Sequence, residues 1–419
     1  MPEGAAEEDQ MEIRSRGGTE HHHVVIIGGG SGGISVAARL TRALPTPDIA
    51  IIEPSEAHYY QPLWTLVGGG VFKKEASRRD EKRFIPRGAS WIKERVCAID
   101  PEARTVQTDG GRTVGYDYLV VAPGIQIDWT KIKGLDLALG ANGLCSNYAY
   151  EQCEGTWRTI QGFTGGQAIF TQPSTGIKCG GAPQKIMYLA DDTFRKRGVR
   201  AKSTVTFISG TPTIFAVKAY AETLNKVIAR KGIETRYRHD LVEVRPQARE
   251  AVFHGLEDDS EVVMHYDMMH VTPFMSAPDF LKSSPLAETA AGPTRGYVKA
   301  DKRTLQHPDY PTVFALGDAA ALPTSKTGAA IRKQAPVVVD NLLTLMRHEG
   351  VHLLATYDGY TSCPLVTGYG KLVLAEFDYN LTPKETFPID QTKERQSMYL
   401  LKAYGLPAMY WHGMLCGRV

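Results

Sequence analysis

His23-Val-Val-Ile-Ile-Gly28-Gly-Gly30-Ser-Gly-Gly33-Ile-Ser-Val-Ala-Ala-Arg-Leu40 decides the fold. The apolar run reads as a buried parallel strand, the glycines as a tight turn, and Ile34, Ala37, Ala38 and Leu40 as the inward stripe of a helix. A second strand, Ile49-Ala-Ile-Ile-Glu53, follows, and Glu53 lies 20 residues past Gly33. Strand, G-x-G-x-x-G turn, helix, strand and acid in that order form a dinucleotide-binding fingerprint. Gly28, Gly30 and Gly33 let the backbone approach a pyrophosphate, the helix N-terminus supplies bare amides, and Glu53 meets a ribose hydroxyl.

The chain has 419 residues, enough for two or three domains of about 150 residues each. With 48 Lys+Arg against 46 Asp+Glu, a net charge of +2 gives no basic footprint for nucleic acid. Glycine, at 41 residues, is clustered instead of periodic, which points to backbone turns around ligands. Six cysteines are too few for a disulfide scaffold, so each is weighed by its setting. Residues 1–22 are expected to be a flexible N-terminus without a secretory or transit signal, with His21 to His23 leading into the first strand. No metal site is expected.

Two later strands, Asp117 to Gly124 through Pro123 and Pro311 to Asp318 through Gly317, each end in a tight turn. With the fingerprint they make the chain resemble the flavoprotein superfamily that has two dinucleotide-binding domains. The resemblance implies FAD, with Asp318 accepting a hydrogen bond from the ribityl chain. A helix is expected after Ser325-Lys326-Thr327-Gly328, kinked at Pro336, with its N-terminus facing the flavin. In that superfamily a second Rossmann unit binds nicotinamide through glycines of its own. Residues 204–215 are expected to occupy that place, where Gly210 stands alone and Pro212 removes an amide, so nicotinamide binding is expected to be lost.

Cys179 follows Lys178 and precedes Gly180-Gly181-Ala182-Pro183, between a strand and a helix that carries Lys185. Both lysines and the helix dipole favour a thiolate there. Cys363 sits in Tyr357-Asp-Gly-Tyr-Thr-Ser-Cys363-Pro-Leu-Val-Thr-Gly, leading into an alternating strand from Lys371 to Tyr379. Together with Leu322-Pro-Thr-Ser-Lys-Thr327 and Leu374-Ala-Glu-Phe-Asp-Tyr379, these strings make the chain resemble the sulfide:quinone oxidoreductase family, above all the branch of the animal mitochondrial enzymes.

The resemblance implies that Cys179 and Cys363 form a disulfide or sulfur-bridged pair beside FAD. Hydrosulfide attacks the pair and leaves one persulfide and one thiolate. A membrane quinone then takes two electrons, with Phe377 and Tyr379 near its ring and Lys402 as donor to its oxygen. The sulfane sulfur passes to glutathione, sulfite, coenzyme A or polysulfide.

The segment from Lys393 concentrates Met398, Tyr399, Leu400, Leu401, Tyr404, Tyr410 and Trp411 between basic residues, the composition of helices in a bilayer interface. The other reading is a helix docked on its own core or on a second copy in a homo-oligomer. The expected compartment is the surface of a bacterial cytoplasmic membrane, or of the mitochondrial inner membrane in a eukaryote, with shallow contact.

Cys145 and Cys153 are candidates for a sulfur relay or a flavin link, or are inert; Cys97 and Cys416 are read as structural. The expected fold is α/β with two Rossmann-like domains. FAD-binding segments span 23–145 and 300–345, the second unit 146–299, and the redox-cysteine and membrane region 346–419. The rival readings are a type II NADH:quinone oxidoreductase and a flavin-bound redox sensor.

Overall fold

The computed structural model describes residues 20–136, 138–347, 352–353 and 355–419. The first sheet begins with β1 (Glu20–Ile27), followed by α1 (Ser31–Ala43) and β2 (Ile49–Ile52). It continues with β3 (Ala89–Ile92), β4 (Val96–Asp100), β5 (Thr105–Thr108) and β6 (Thr113–Val121), in the order β3-β2-β1-β6-β5-β4. β1 pairs in parallel with both neighbours, Val24 facing Ile49 on one side and Tyr118 on the other. Val24 to Ile27 are therefore buried on both faces, which explains their unbroken apolar run. Of the expected N-terminal segment, residues 1–19 lie outside the described residues. Glu20 to His22 already belong to β1, paired with Val114, Gly115 and Tyr116.

After β7 (Gln126–Asp128) comes the second sheet: β8 (Leu144–Cys145), β9 (Gly166–Gln172), α2 (Ala182–Lys196), β10 (Ser203–Ser209), α3 (Lys218–Lys231), β11 (Glu234–Tyr237) and β12 (Met268–His270). Its strands are parallel, in the order β8-β12-β9-β10-β11. β13 (Phe274–Ser276) pairs antiparallel with β7, a ribbon at which the chain leaves and re-enters the first unit. Leu144 and Cys145 thus belong to the second sheet, while Leu281, Leu286 and Val298 pack in the first core.

β9 holds the same place in β11-β10-β9-β12 that β1 holds in β3-β2-β1-β6, the first strand of a doubly wound unit. The nucleotide-type turn of the second unit is therefore the loop 173–181 after β9. Placing it at 204–215 was an error of one strand, because that segment is β10 and its exit.

The first unit is completed by β14 (Val313–Ala315), parallel to β6, and by α4 (Gly328–Arg347), which continues as one helix through Pro336. A hairpin of β15 (Thr361–Gly368) and β16 (Lys371–Phe377) packs on α2. The chain ends in α5 (Gln396–Leu400), a π-helical turn over Leu401–Gly405, and α6 (Leu406–His412).

Of the two readings of this last segment, most of its aromatic residues follow the docked one. Met398, Tyr399, Ala403, Tyr410, Trp411, Met414 and Leu415 are buried in the first core, with Trp411 stacked on Phe84. The aromatic enrichment that suggested lipid contact mostly serves docking. What stays outward is Leu400, 49% exposed, and Tyr404, 61% exposed. Among the described residues no helix is long and apolar enough to cross a membrane.

Candidate active site

The glycine turn after β1 is shaped by contacts that only glycine tolerates. A Cβ on Gly33 would overlap the Gly28 carbonyl oxygen, while Gly30 and Gly124 face open space. Close packing on one side and bare backbone on the other leave the first-turn amides of α1 free for a pyrophosphate. Glu53 accepts from the N–H groups of Gly29 at 2.8 Å and Ser55 at 2.7 Å. Each carboxylate oxygen keeps acceptor capacity for a ribose hydroxyl. Pro123 and Gly124 close the turn from β6, where Ala122 N–H donates to Ile27 O.

Gly317 and Asp318 follow β14, and a small cavity there is lined by Gly317, Leu322, Thr324, Lys326, Thr327 and Gln334. Burial pushes the Asp318 carboxyl up, opposed by the charges of Lys326 and Lys178. Lys326 Nζ donates to the Asp318 carbonyl at 2.6 Å and lies over the Tyr297 ring. Thr327 Oγ1 accepts from Ala330 N–H at 3.1 Å and so caps α4. A partly buried acid beside the charges of Lys326 and Lys178, with a bare glycine turn in the same unit, fits a bound dinucleotide.

Cys179 lies in the loop 173–181 with φ of 55°, a left-handed conformation that costs a non-glycine residue about 1–3 kcal/mol. Two bonds hold it there: Cys179 N–H donates to Lys326 O, and Ala182 N–H, at the start of α2, donates to Cys179 O, both at 2.8 Å. Cys363, on β15 opposite Ala375, comes to the same place from the hairpin. A Cβ on Gly181 would stand 2.6 Å from Cys363 Sγ, so glycine there makes room for the second sulfur.

Lys185, in the fourth position of α2, reaches back toward the helix N-terminus as helical side chains do, and its Nζ donates to Cys179 Sγ at 3.1 Å. It is 2% exposed. The hydrogen bond from the Cys363 thiol, then the charges of Lys185 and Lys402, outweigh burial and hold Cys179 well below the ordinary thiol range. Cys363, bonded to Cys179 and buried, is pushed well up. The pair thus holds one negative charge, placed on Cys179. Burial works against the Lys185 charge, but the two sulfurs outweigh it and hold its ammonium above the usual range. Lys178 points elsewhere, to Gln61 Oε1 at 2.7 Å and the Trp64 ring, and burial lowers it to about 8.

Lys402 is 3% exposed, and its Nζ donates to Pro62 O at 2.8 Å. Burial and the charge of Lys185 lower it to about 7, so it belongs to the electrostatics of the cysteine pair. Phe377 lies on the sheet face of Cys363, packed edge-on against Phe215. Tyr379 is not beside it: its hydroxyl donates to Lys302 O at 2.8 Å and its ring meets Tyr357.

Cys145 and Cys153 are buried in different clusters, and burial pushes both thiols up to about 12. Neither is poised as a nucleophile, and the packing favours inert roles for both. Cys97 is exposed, and Cys416 is partly buried with its carbonyl near Arg42.

Sequence reasoning missed a buried chain of groups that ties the C-terminus to the glycine turn. Tyr410 Oη lies 2.7 Å from Ser31 Oγ and 2.6 Å from His58 Nε2, and His58 Nδ1 lies 2.8 Å from Glu81 Oε2. No spacing in the sequence links these residues. It also missed Tyr148, which is buried against Cys179, Ile177 and Met275.

A family model described as pyridine nucleotide-disulphide oxidoreductase matches residues 22–161. The mitochondrial sulfide:quinone oxidoreductase of Mus musculus is 48% identical over 387 residues, covering 92% of this chain and 84% of that protein. Its counterpart in Dictyostelium discoideum is 48% identical over 390 residues, with the same shares covered. The solved sulfide:quinone oxidoreductase of Aquifex aeolicus matches in fold, with a TM-score of 0.78 at 21% identity over 95% of this chain and 92% of that one. At 48% identity over 92% of its length to these relatives, the chain belongs to the sulfide:quinone oxidoreductase family.

Proposed function

We propose that this protein oxidises hydrosulfide at the Cys179–Cys363 pair and delivers the electrons to a membrane quinone. The observation that carries this is Lys185 bonded to Cys179 in a loop that takes the place of a nicotinamide turn. FAD is the cofactor of the family, and when bound it supplies a two-electron acceptor between sulfur and quinone.

Gly28, Gly30 and Gly33 would hold its pyrophosphate, Glu53 a ribose, Asp318 the ribityl chain, and Pro123, Gly124, Gly317, Lys326 and Thr327 the remaining walls. Hydrosulfide attack on the bridged pair breaks its S–S bond. One cysteine then carries the added sulfur as a persulfide and the other leaves as a thiolate. Lys185 stabilises that thiolate, and Lys402, poised near neutrality, holds or gives a proton beside it. When the sulfane sulfur passes to an acceptor such as glutathione, sulfite, coenzyme A or polysulfide, the pair recloses and gives up two electrons.

Phe377 lies on the Cys363 side, where an apolar quinone ring would approach. Leu400 and Tyr404 would touch the membrane surface. Mitochondrial relatives favour the mitochondrial membrane over a bacterial one. The test is steady-state reduction of a short-chain quinone by the FAD-loaded protein. Sulfide should support turnover and NADH should not; turnover with NADH alone would favour the type II NADH:quinone oxidoreductase reading.

A further inference from the structure

The last helix, α6, reaches the glycine turn through a run of hydrogen bonds that the sulfide chemistry does not use. Tyr410 is 5% exposed, His58 3% and Glu81 2%, so these groups must satisfy one another. Tyr410 Oη lies 2.7 Å from Ser31 Oγ and 2.6 Å from His58 Nε2, and His58 Nδ1 lies 2.8 Å from Glu81 Oε2. Ser31 is the first residue of α1, partly exposed, directly after Gly30, which faces open space. At the other end a Cβ on Gly29 would stand 2.9 Å from Glu81 Oε1, so Glu81 lies against the turn itself. The run thus starts at Gly29 and ends on Ser31, one on each side of Gly30.

Each link has a direction. Tyr410 has one O–H and gives it either to His58 or to Ser31. If His58 Nε2 takes it, Ser31 spends its own O–H on Tyr410 and shows an anion only lone pairs. If Ser31 Oγ takes it, the Ser31 O–H is free to donate outward, and His58 Nε2–H donates to Tyr410 Oη. The second arrangement needs one proton held between His58 and Glu81, on either partner. Burial pushes the Glu81 carboxyl up, against the hydrogen bond and charge of His58, and so favours a proton on that pair.

We propose that Tyr410, held by His58 and Glu81, is a positioning residue for the cofactor: it gives its O–H to Ser31 Oγ, so that the Ser31 O–H points to the FAD pyrophosphate. This rests on the pyrophosphate lying at the first turn of α1, as proposed above. It makes the C-terminal segment part of the FAD site. The chain just beyond α6 closes over α1, where a Cβ on Gly417 would stand 2.9 Å from the Ala38 carbonyl carbon. Bound FAD and docked α6 therefore stabilise one another.

The test is the rate of FAD loss from purified holoprotein after dilution, followed by the rise in flavin fluorescence, in Tyr410→Phe, Ser31→Ala and the double variant. Tyr410→Phe keeps the ring against Tyr60 and Trp411, and Ser31→Ala removes a single oxygen, so both preserve the packing. Each single variant should lose FAD about tenfold faster, the effect of one hydrogen bond to a charged group. Because Tyr410 acts through Ser31, the double variant should lose it no faster than Ser31→Ala alone. An unchanged rate in either single variant would overturn the proposal. So would effects that multiply in the double variant, since Tyr410 would then act on the fold and not on Ser31. Gly33→Ala tests the reading beneath it: FAD content equal to wild type would show that the pyrophosphate does not lie at this turn.

Discussion

The two Rossmann units place their first loops at the same point of the same strand order, and fill them with different chemistry. After β1 the chain turns into α1 within three residues, Gly28 to Gly30, and the glycines clear space for a pyrophosphate. After β9 it wanders through 173–181 before α2, and Gly181 clears space for the Cys363 sulfur. In the proposed function a helix N-terminus faces negative charge in both loops, a phosphate in the first and the Cys179 thiolate in the second. The architecture that reads a dinucleotide is thus kept while its ligand is exchanged for a redox pair. The same backbone device serves either ligand, and the side chains around it decide which.

Four experiments can break or sharpen that contrast. Replacing Cys179 or Cys363 with Ser should lower sulfide-dependent quinone reduction by at least about a thousandfold, since neither sulfur can act alone, with FAD retained. Gly33→Ala and Gly181→Ala should then separate the loops. The first should strip FAD, read from the flavin absorbance of purified protein, because its Cβ meets the Gly28 carbonyl. The second should keep FAD and displace Cys363, losing about a hundredfold in sulfide turnover. If both variants lost FAD equally, the assignment of separate tasks would fail.

Lys185→Met removes the cation bonded to Cys179. The thiolate is then less favoured, so alkylation of the reduced enzyme by iodoacetamide should need higher pH than in wild type, and activity near neutrality should fall about tenfold. An unmoved alkylation profile would show that Lys185 does not set the thiolate.

The smallest effect belongs to Lys402. Its pKa of about 7 in the folded protein compares with about 10.4 when unfolded, so the unfolded chain binds more protons between these values. Its cost to stability is full below pH 7 and disappears as pH rises toward 10. Lys402→Met should therefore raise Tm by about 2–4 °C at pH 6 and by less at pH 9. A gain that grows with pH would contradict this.

The first unit was legible because β1, its turn and β2 carry a dense local pattern: an apolar run, fixed glycine spacing and an acid at a set distance. Gly317-Asp318 and the cysteine settings were legible for the same reason. The second nucleotide-type loop was misplaced by one strand, since a nine-residue loop with Cys179 at its end carries no G-x-G-x-x-G to mark it. Lys178 and Lys185 looked equivalent in sequence, but only the helical position of Lys185 aims an ammonium at Cys179.

Tyr410, His58 and Glu81 meet only through tertiary packing across long separations. The C-terminal aromatics carry a composition shared by lipid contact and by core docking, and only burial tells them apart.

Anaerobic titration of the FAD-loaded protein, followed by flavin absorbance, tests the central claim most directly. With sulfite present as the sulfur acceptor, sulfide should bleach the flavin at about one equivalent and NADH should leave it oxidised, because in the proposed function the loop after β9 serves Cys179 instead of a nicotinamide nucleotide. Bleaching by NADH with no response to sulfide would contradict the account.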